Sequence, residues 1–138
     1  MTPHHSVQRV ILRLFALATL AALPGVAAPR LTAEKLSSLM GFSQPPMTPL
    51  MLYMMAGGSA VYLAQGLLMG VMSCDVVRYQ PLIRVVAWAL LLCAPLFWWI
   101  DTQAGLPRWW MWMDSASALI TGLILTWASH PRDKQGPG

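Results

Sequence analysis

Charge is what this sequence has least of. Nine of its 138 residues are Lys or Arg and five are Asp or Glu, so charged residues make up 10%. An ordinary soluble domain carries about 25%. Hydrophobic residues reach 57%, more apolar surface than one small domain can hide from water. That balance excludes an ordinary soluble fold and points to a membrane. The net charge of +4 does not imply a nucleic-acid partner, because the basic residues flank apolar runs instead of forming a stripe along one face.

Cysteine is equally sparse. Cys74 and Cys93 lack the spacing of a metal or redox site, and the ordinary reading is two small buried thiols. The short patterns that announce catalysis are also missing: there is no HExxH, CxxC, GxSxG or phosphate-binding loop, and no internal repeat. No enzyme class and no cofactor is therefore indicated.

What the chain does have is four long apolar runs, about 10–28, 50–73, 82–100 and 109–129. Each approaches or exceeds the ~20 residues that carry a helix across a hydrocarbon core. Lipid offers no partner for backbone N–H and C=O groups, and four segments cannot close a barrel, so the runs must be helices. The expected fold is an all-α integral membrane protein, with four transmembrane helices in an antiparallel bundle forming one domain over 1–138. The first run also resembles a secretory signal, since Arg9 and Arg13 precede "LFALATLAALPGVAA" and Gly25, Ala27 and Ala28 close it. Pro29 directly after Ala28 argues against cleavage, and a retained helix is the expectation.

Turn chemistry supports these bounds. Thr48-Pro49 reads as an N-cap followed by proline at the first helical position, and Pro81 and Pro107 can open the next two helices. The stretch "LTAEKLSSLMGF" spaces Leu31, Leu36, Leu39 and Met40 as a short amphipathic helix over 31–41 that ends at Gly41. It is expected on the outer surface, with "SQPP" re-entering the bilayer. "HPRDKQGPG", 130–138, reads as a polar, disordered tail.

Basic residues set the expected orientation. With the N-terminus inside, Arg9, Arg13, Arg78, Arg84, Arg132 and Lys134 fall on the cytoplasmic side, against Arg30, Lys35 and Arg108 outside. The positive-inside rule then favours both termini in the cytoplasm of a cell's inner (plasma) membrane. The lipid bilayer is the one certain partner on this reading. A membrane-protein partner or a second copy of the chain is a further candidate.

Five of the seven Trp residues lie between Trp98 and Asp114. Trp98, Trp99, Trp109 and Trp110, with Arg108 and Asp101, fit an outer headgroup rim where indole rings are half buried. Arg108 can meet lipid phosphate or Asp101 across the short loop. Asp114 is harder to place at a rim, because it lies ~10 Å inside a helix that opens at Pro107. An acid at that depth should face the bundle or water and have a partner. On a helical wheel Asp114, Ser117, Ala118, Thr121 and Leu125 share a face, expected to point inward, with Ser59 beside Gly57 and Gly58 at matching depth on the second helix. Nearer the cytoplasm Gln65 falls level with Thr121, Arg84 and Arg13, and is expected to bond across the bundle while the arginines snorkel. Gly66-x-x-x-Gly70 permits close helix approach.

Methionine suggests one sharper chemistry. Met47, Met51, Met54 and Met55 gather at the start of the second helix, with Met111 and Met113 at the start of the fourth. Met51 and Met55, one turn apart, could offer thioethers to Cu(I) together with Met111 and Met113. Methionine as an ordinary gap-filler explains the same residues. Two stretches carry a family resemblance: "VVRYQPLIRVVAW" leading into the third helix and "GLPRWWMWMDSASALITGLIL" opening the fourth. With them the chain resembles small BphX-like bacterial membrane proteins, most fully over its last three helices. The resemblance implies four spans and no established activity, so it transfers no functional residues.

Three function classes follow. The first is a non-enzymatic accessory or structural subunit of a membrane complex or homo-oligomer. The second is a protein that binds or converts a lipophilic small molecule at Asp114. The third is Cu(I) handling. An outward face of small residues would mark the first, and a pocket beside Asp114 the second.

Overall fold

A computed structural model describes residues 3–43 and 48–130. The expected polar tail after His130, the re-entrant "QPP" and Met47 lie outside them. Among the described residues the protein is all helical, with no strand. In chain order come α1 (Pro3–Thr19), a 3₁₀ turn (Leu20–Ala22), α2 (Leu23–Ala27), α3 (Pro29–Met40), α4 (Pro49–Cys74), α5 (Gln80–Gln103) and α6 (Arg108–Ala128).

The helix bounds follow from local chemistry. The Thr48 hydroxyl accepts from Met51 N at 3.2 Å and caps α4 ahead of Pro49. Pro81 sits in the first turn of α5, and Pro107, extended at ψ 141°, is the N-cap of α6. Pro24 lacks an N–H and its ring crowds the carbonyl of Leu20, which is why Leu20–Ala22 tightens into a 3₁₀ turn there. The helical run nevertheless starts at Pro3, a full two turns before the apolar run does, because the polar residues ahead of Val10 continue the same helix. Gly41 (φ 76°) and Gly105 (φ 66°) take the left-handed conformation that closes α3 and α5. In each case the N–H after the glycine reaches back five residues, Phe42 to Ser37 O and Leu106 to Asp101 O, both at 3.0 Å.

Three helical stretches, His4–Ala27, Pro49–Cys74 and Gln80–Gln103, are long and apolar enough to cross a membrane. Helix α6 has 21 residues, enough for about 30 Å, but Arg108, Asp114, Ser115, Ser117 and Thr121 make it more polar than the other three.

The chain divides into two compact units, one drawn from Met1–Ile11 and Asp75–Gly138, the other Leu12–Cys74. Within Leu12–Cys74, the end of α1 and α2 run antiparallel to α4 along a seam of small residues. A Cβ at Gly66 would overlap the Thr19 hydroxyl, one at Gly25 would overlap that of Ser59, and one at Gly70 would stand 3.9 Å from Ala16 Cβ. The Gly66-x-x-x-Gly70 spacing thus does what it permits, since missing side chains let two backbones close together.

In the other unit α5 and α6 form an antiparallel hairpin. Arg84 meets Ser129, Ala87 and Leu91 meet Gly122, and Trp98 meets Trp112. A Cβ at Gly122 would lie 3.0 Å from the Ala87 carbonyl oxygen, so this glycine sets how closely α6 approaches. Ile83, Ala87, Leu90, Ala94 and Asp101 are the buried residues of α5. Their four-and-three spacing, with Phe97 filling the step, is that of a helix seam. The matching face of α6 is Met111, Ala118, Gly122, Leu125 and Ala128. Both ends of the chain contribute to this unit: Gln8 Nε2 donates to Ser129 Oγ at 2.8 Å, and the His4 and Trp127 rings lie 4.8 Å apart.

Candidate functional site

The turn end of the α5/α6 hairpin gathers the acids and the Trp residues. Trp98 and Trp112 meet edge to face at 4.8 Å, and Trp109 and Trp110 at 5.6 Å. Trp99 and Trp109 are exposed, Trp99 at 60%. Trp112, not among the residues expected at a rim, is exposed and meets Trp98.

Asp101, expected at the rim, is only 5% exposed, because it continues the four-and-three seam of α5 by one step. Its Oδ2 is buried without a hydrogen-bond partner, and no ion pair joins it to Arg108, which is exposed. Removing a carboxylate oxygen from water without a donor is costly. The seam spacing of Ile83, Ala87, Leu90, Ala94 and Phe97 was the signal in the sequence that could have found it.

Asp114 lies deeper on α6 and is half buried. The inward face of α6 centres on Met111, Ala118, Gly122 and Leu125. At ~100° per residue Asp114 and Thr121 fall on its flank and Ser117 falls outside it. Ser117 is accordingly exposed and Thr121 half buried, so the polar stripe does not point inward as a unit. The Ser117 hydroxyl instead donates to the Asp114 carbonyl at 2.9 Å.

That pattern is general. The hydroxyls of Thr19, Ser73, Thr102 and Thr126 donate to carbonyls three or four residues earlier on their own helices, at 2.6–2.8 Å. In an apolar solvent a hydroxyl finds its nearest acceptor on its own backbone. Ser129 Oγ instead accepts from Gln8 Nε2, and Ser115 Oγ is buried without a partner. Ser115 and Asp101 are the residues that wheel-based reasoning overlooks at this end of the hairpin.

The remaining expected residues are placed separately. Ser59, half buried, packs against Gly25. Gln65 is half buried on α4 and makes no hydrogen bond across the helices, contrary to expectation. Met51 and Met55 are half buried at the start of α4, whereas Met111 is buried in the α5/α6 seam and Met113 is 62% exposed. Two residues apart on a helix, Met111 and Met113 diverge and cannot present both sulfurs to one ion. Among the described residues no group of three His, Cys, Asp or Glu could hold a metal. Cys74, expected buried, is exposed, with its thiol turned to the Gly70 carbonyl at 3.5 Å; Cys93 is half buried.

Comparison with family models, curated proteins and solved structures finds no match to this chain.

Proposed function

We propose that this is a four-span protein of a bacterial inner (plasma) membrane, with both termini cytoplasmic, acting as a non-enzymatic accessory or structural subunit of a membrane complex or homo-oligomer. Its plan is that of the BphX-like proteins. In each of the three most apolar helices fewer than a quarter of the residues in the spanning window are buried. Leu67 and Leu92 are each 72% exposed. Surface of that kind needs lipid or another protein against it. Helix α6 completes the four spans as the partner of α5, which covers its small-residue face.

One observation favours a protein partner over lipid alone. On α4 the residues Gly57, Ala60 and Ala64 share a face; both alanines are exposed, and a Cβ at Gly57 would meet nothing within 4 Å. Small residues spaced by one turn are what close helix association uses in lipid. Native mass spectrometry in mild detergent tests this directly. A homo-oligomer or a stoichiometric co-purifying subunit is expected, dispersed by Ala60→Leu and Ala64→Leu. A monomer without partners, in wild type and variants alike, defeats the proposal.

A second reading rests on Asp101 and Ser115, whose buried oxygens lack partners near Asp114. A lipophilic molecule carrying a hydrogen-bond donor or a positive charge would satisfy them. Loss of such a ligand on Asp101→Asn, with the fold retained, is the expected signature.

A further inference from the structure

At the open end of the α5/α6 hairpin, opposite the acids, Arg84, Ala87, Trp88, Thr126, Ser129 and His130 line a crevice of about 240 Å³. We propose that it is a selective site for one anionic phospholipid, with the phosphate at Arg84 and the start of an acyl chain along Trp88. This rests on the membrane reading above and adds a particular ligand to it.

The arrangement along α5 carries the inference. Arg84 and Trp88 are one turn apart and so share a face, an exposed cation followed by an exposed indole one turn further along α5. Trp88 is 60% exposed. A phospholipid standing beside the helix has the same order, with charge at the headgroup level and hydrocarbon below it. Basic pockets between membrane helices favour anionic headgroups for this reason.

The polar groups are set for an anion. Arg84 Nη2 donates to the Ser129 carbonyl at 3.2 Å, which fixes the guanidinium and leaves its other N–H groups available. Ser129 Oγ already accepts from Gln8 Nε2, so its own proton is free to donate. The Thr126 hydroxyl is committed to the Gly122 carbonyl at 2.8 Å and only its lone pairs remain. None of the six lining residues is acidic. A zwitterionic headgroup would bring a cation with no counter-charge to meet among these lining residues, whereas phosphatidylglycerol brings only the anion.

The test compares lipids on the full chain. Membranes are first washed with carbonate; release of the protein would overturn the membrane reading and this site with it. Protein that stays is purified in mild detergent and titrated with phosphatidylglycerol or phosphatidylcholine of matched chains while bound lipid is read by native mass spectrometry. We expect phosphatidylglycerol to be retained roughly fivefold better, the scale of one basic residue at a membrane surface. Arg84→Gln should erase the preference, and Arg13→Gln, outside the crevice, should preserve it. Trp88→Ala, at an exposed position, should weaken retention with helicity unchanged, so the site stays testable if Arg84→Gln misfolds. Equal retention of both lipids by wild type, or displacement of phosphatidylglycerol by millimolar inorganic phosphate, would overturn the site while leaving the membrane reading intact.

Discussion

Gln8 donates to Ser129 across 121 residues of sequence, with the Gln8 side chain fully buried. The bond ties the first turns of α1 to the end of α6 and gives α1 a structural task that a cleaved signal would not have. Intact-mass measurement should therefore find Gln8 in the mature protein; a chain starting near Ala28 or Pro29 would show otherwise. Ser129→Ala strands a buried amide donor and should lower stability by about 1–3 kcal/mol, read as a drop in thermal midpoint in detergent.

Gly66 has no room for a side chain against Thr19. Gly66→Val should cost about 1–3 kcal/mol through overpacking. Gly58→Ala, where a Cβ meets open space away from the Gly57, Ala60 and Ala64 face, should be nearly neutral. Pairing Gly66→Ala with Thr19→Gly should recover part of the loss of Gly66→Ala alone, and a double-mutant cycle without coupling would argue against the seam.

The two acids should respond differently to removal. Asp101 occupies a seam position with an unpartnered oxygen, so Asp101→Leu should raise the thermal midpoint of ligand-free protein, by about 1–2 kcal/mol of stability. Asp114 is on the flank, and Asp114→Leu should change stability by no more than ~0.6 kcal/mol, the average for polar contacts in membranes. A marked fall for Asp101→Leu would mean that something holds its carboxylate in the working protein.

Orientation is checked by reporter fusions. Those at Gln103 should read external and those at Gly136 cytoplasmic. A cytoplasmic signal from Gln103 would invert the assignment and place the Trp rim inside.

Helix positions were legible in the sequence wherever composition or turn chemistry decided them. The bounds of α4, α5 and α6 follow from apolar length together with Thr48, Pro81 and Pro107, and Gly41 marks the end of α3. Inward faces were harder to read. A wheel drawn around Asp114, Ser117 and Thr121 assumes that polar groups seek each other across a bundle. In this protein most of the hydroxyls that bond do so to their own helices, and the closest helix approaches fall at small residues, as Gly25, Gly66 and Gly122 show. Asp101 was misplaced for the same reason, since its charge suggested the rim while its register put it in the seam. The close contact of Gly25 with Ser59 has no counterpart in any short motif, because it depends on where the 3₁₀ turn rotates the helix.

The tight closure at Gly105 bears on biogenesis. Only residues 104–107 separate α5 from α6, too few for α6 to enter a membrane independently of its neighbour. A segment carrying Arg108 and Asp114 would insert poorly alone. On the four-span proposal, α6 delivered as the second arm of a hairpin would arrive with Gly122 already facing Ala87, and the strongly apolar α5 would supply the drive for both. Lengthening that link with a flexible polar insert should then reduce the fraction of chains whose last helix becomes membrane-embedded, even though no residue of α6 has changed.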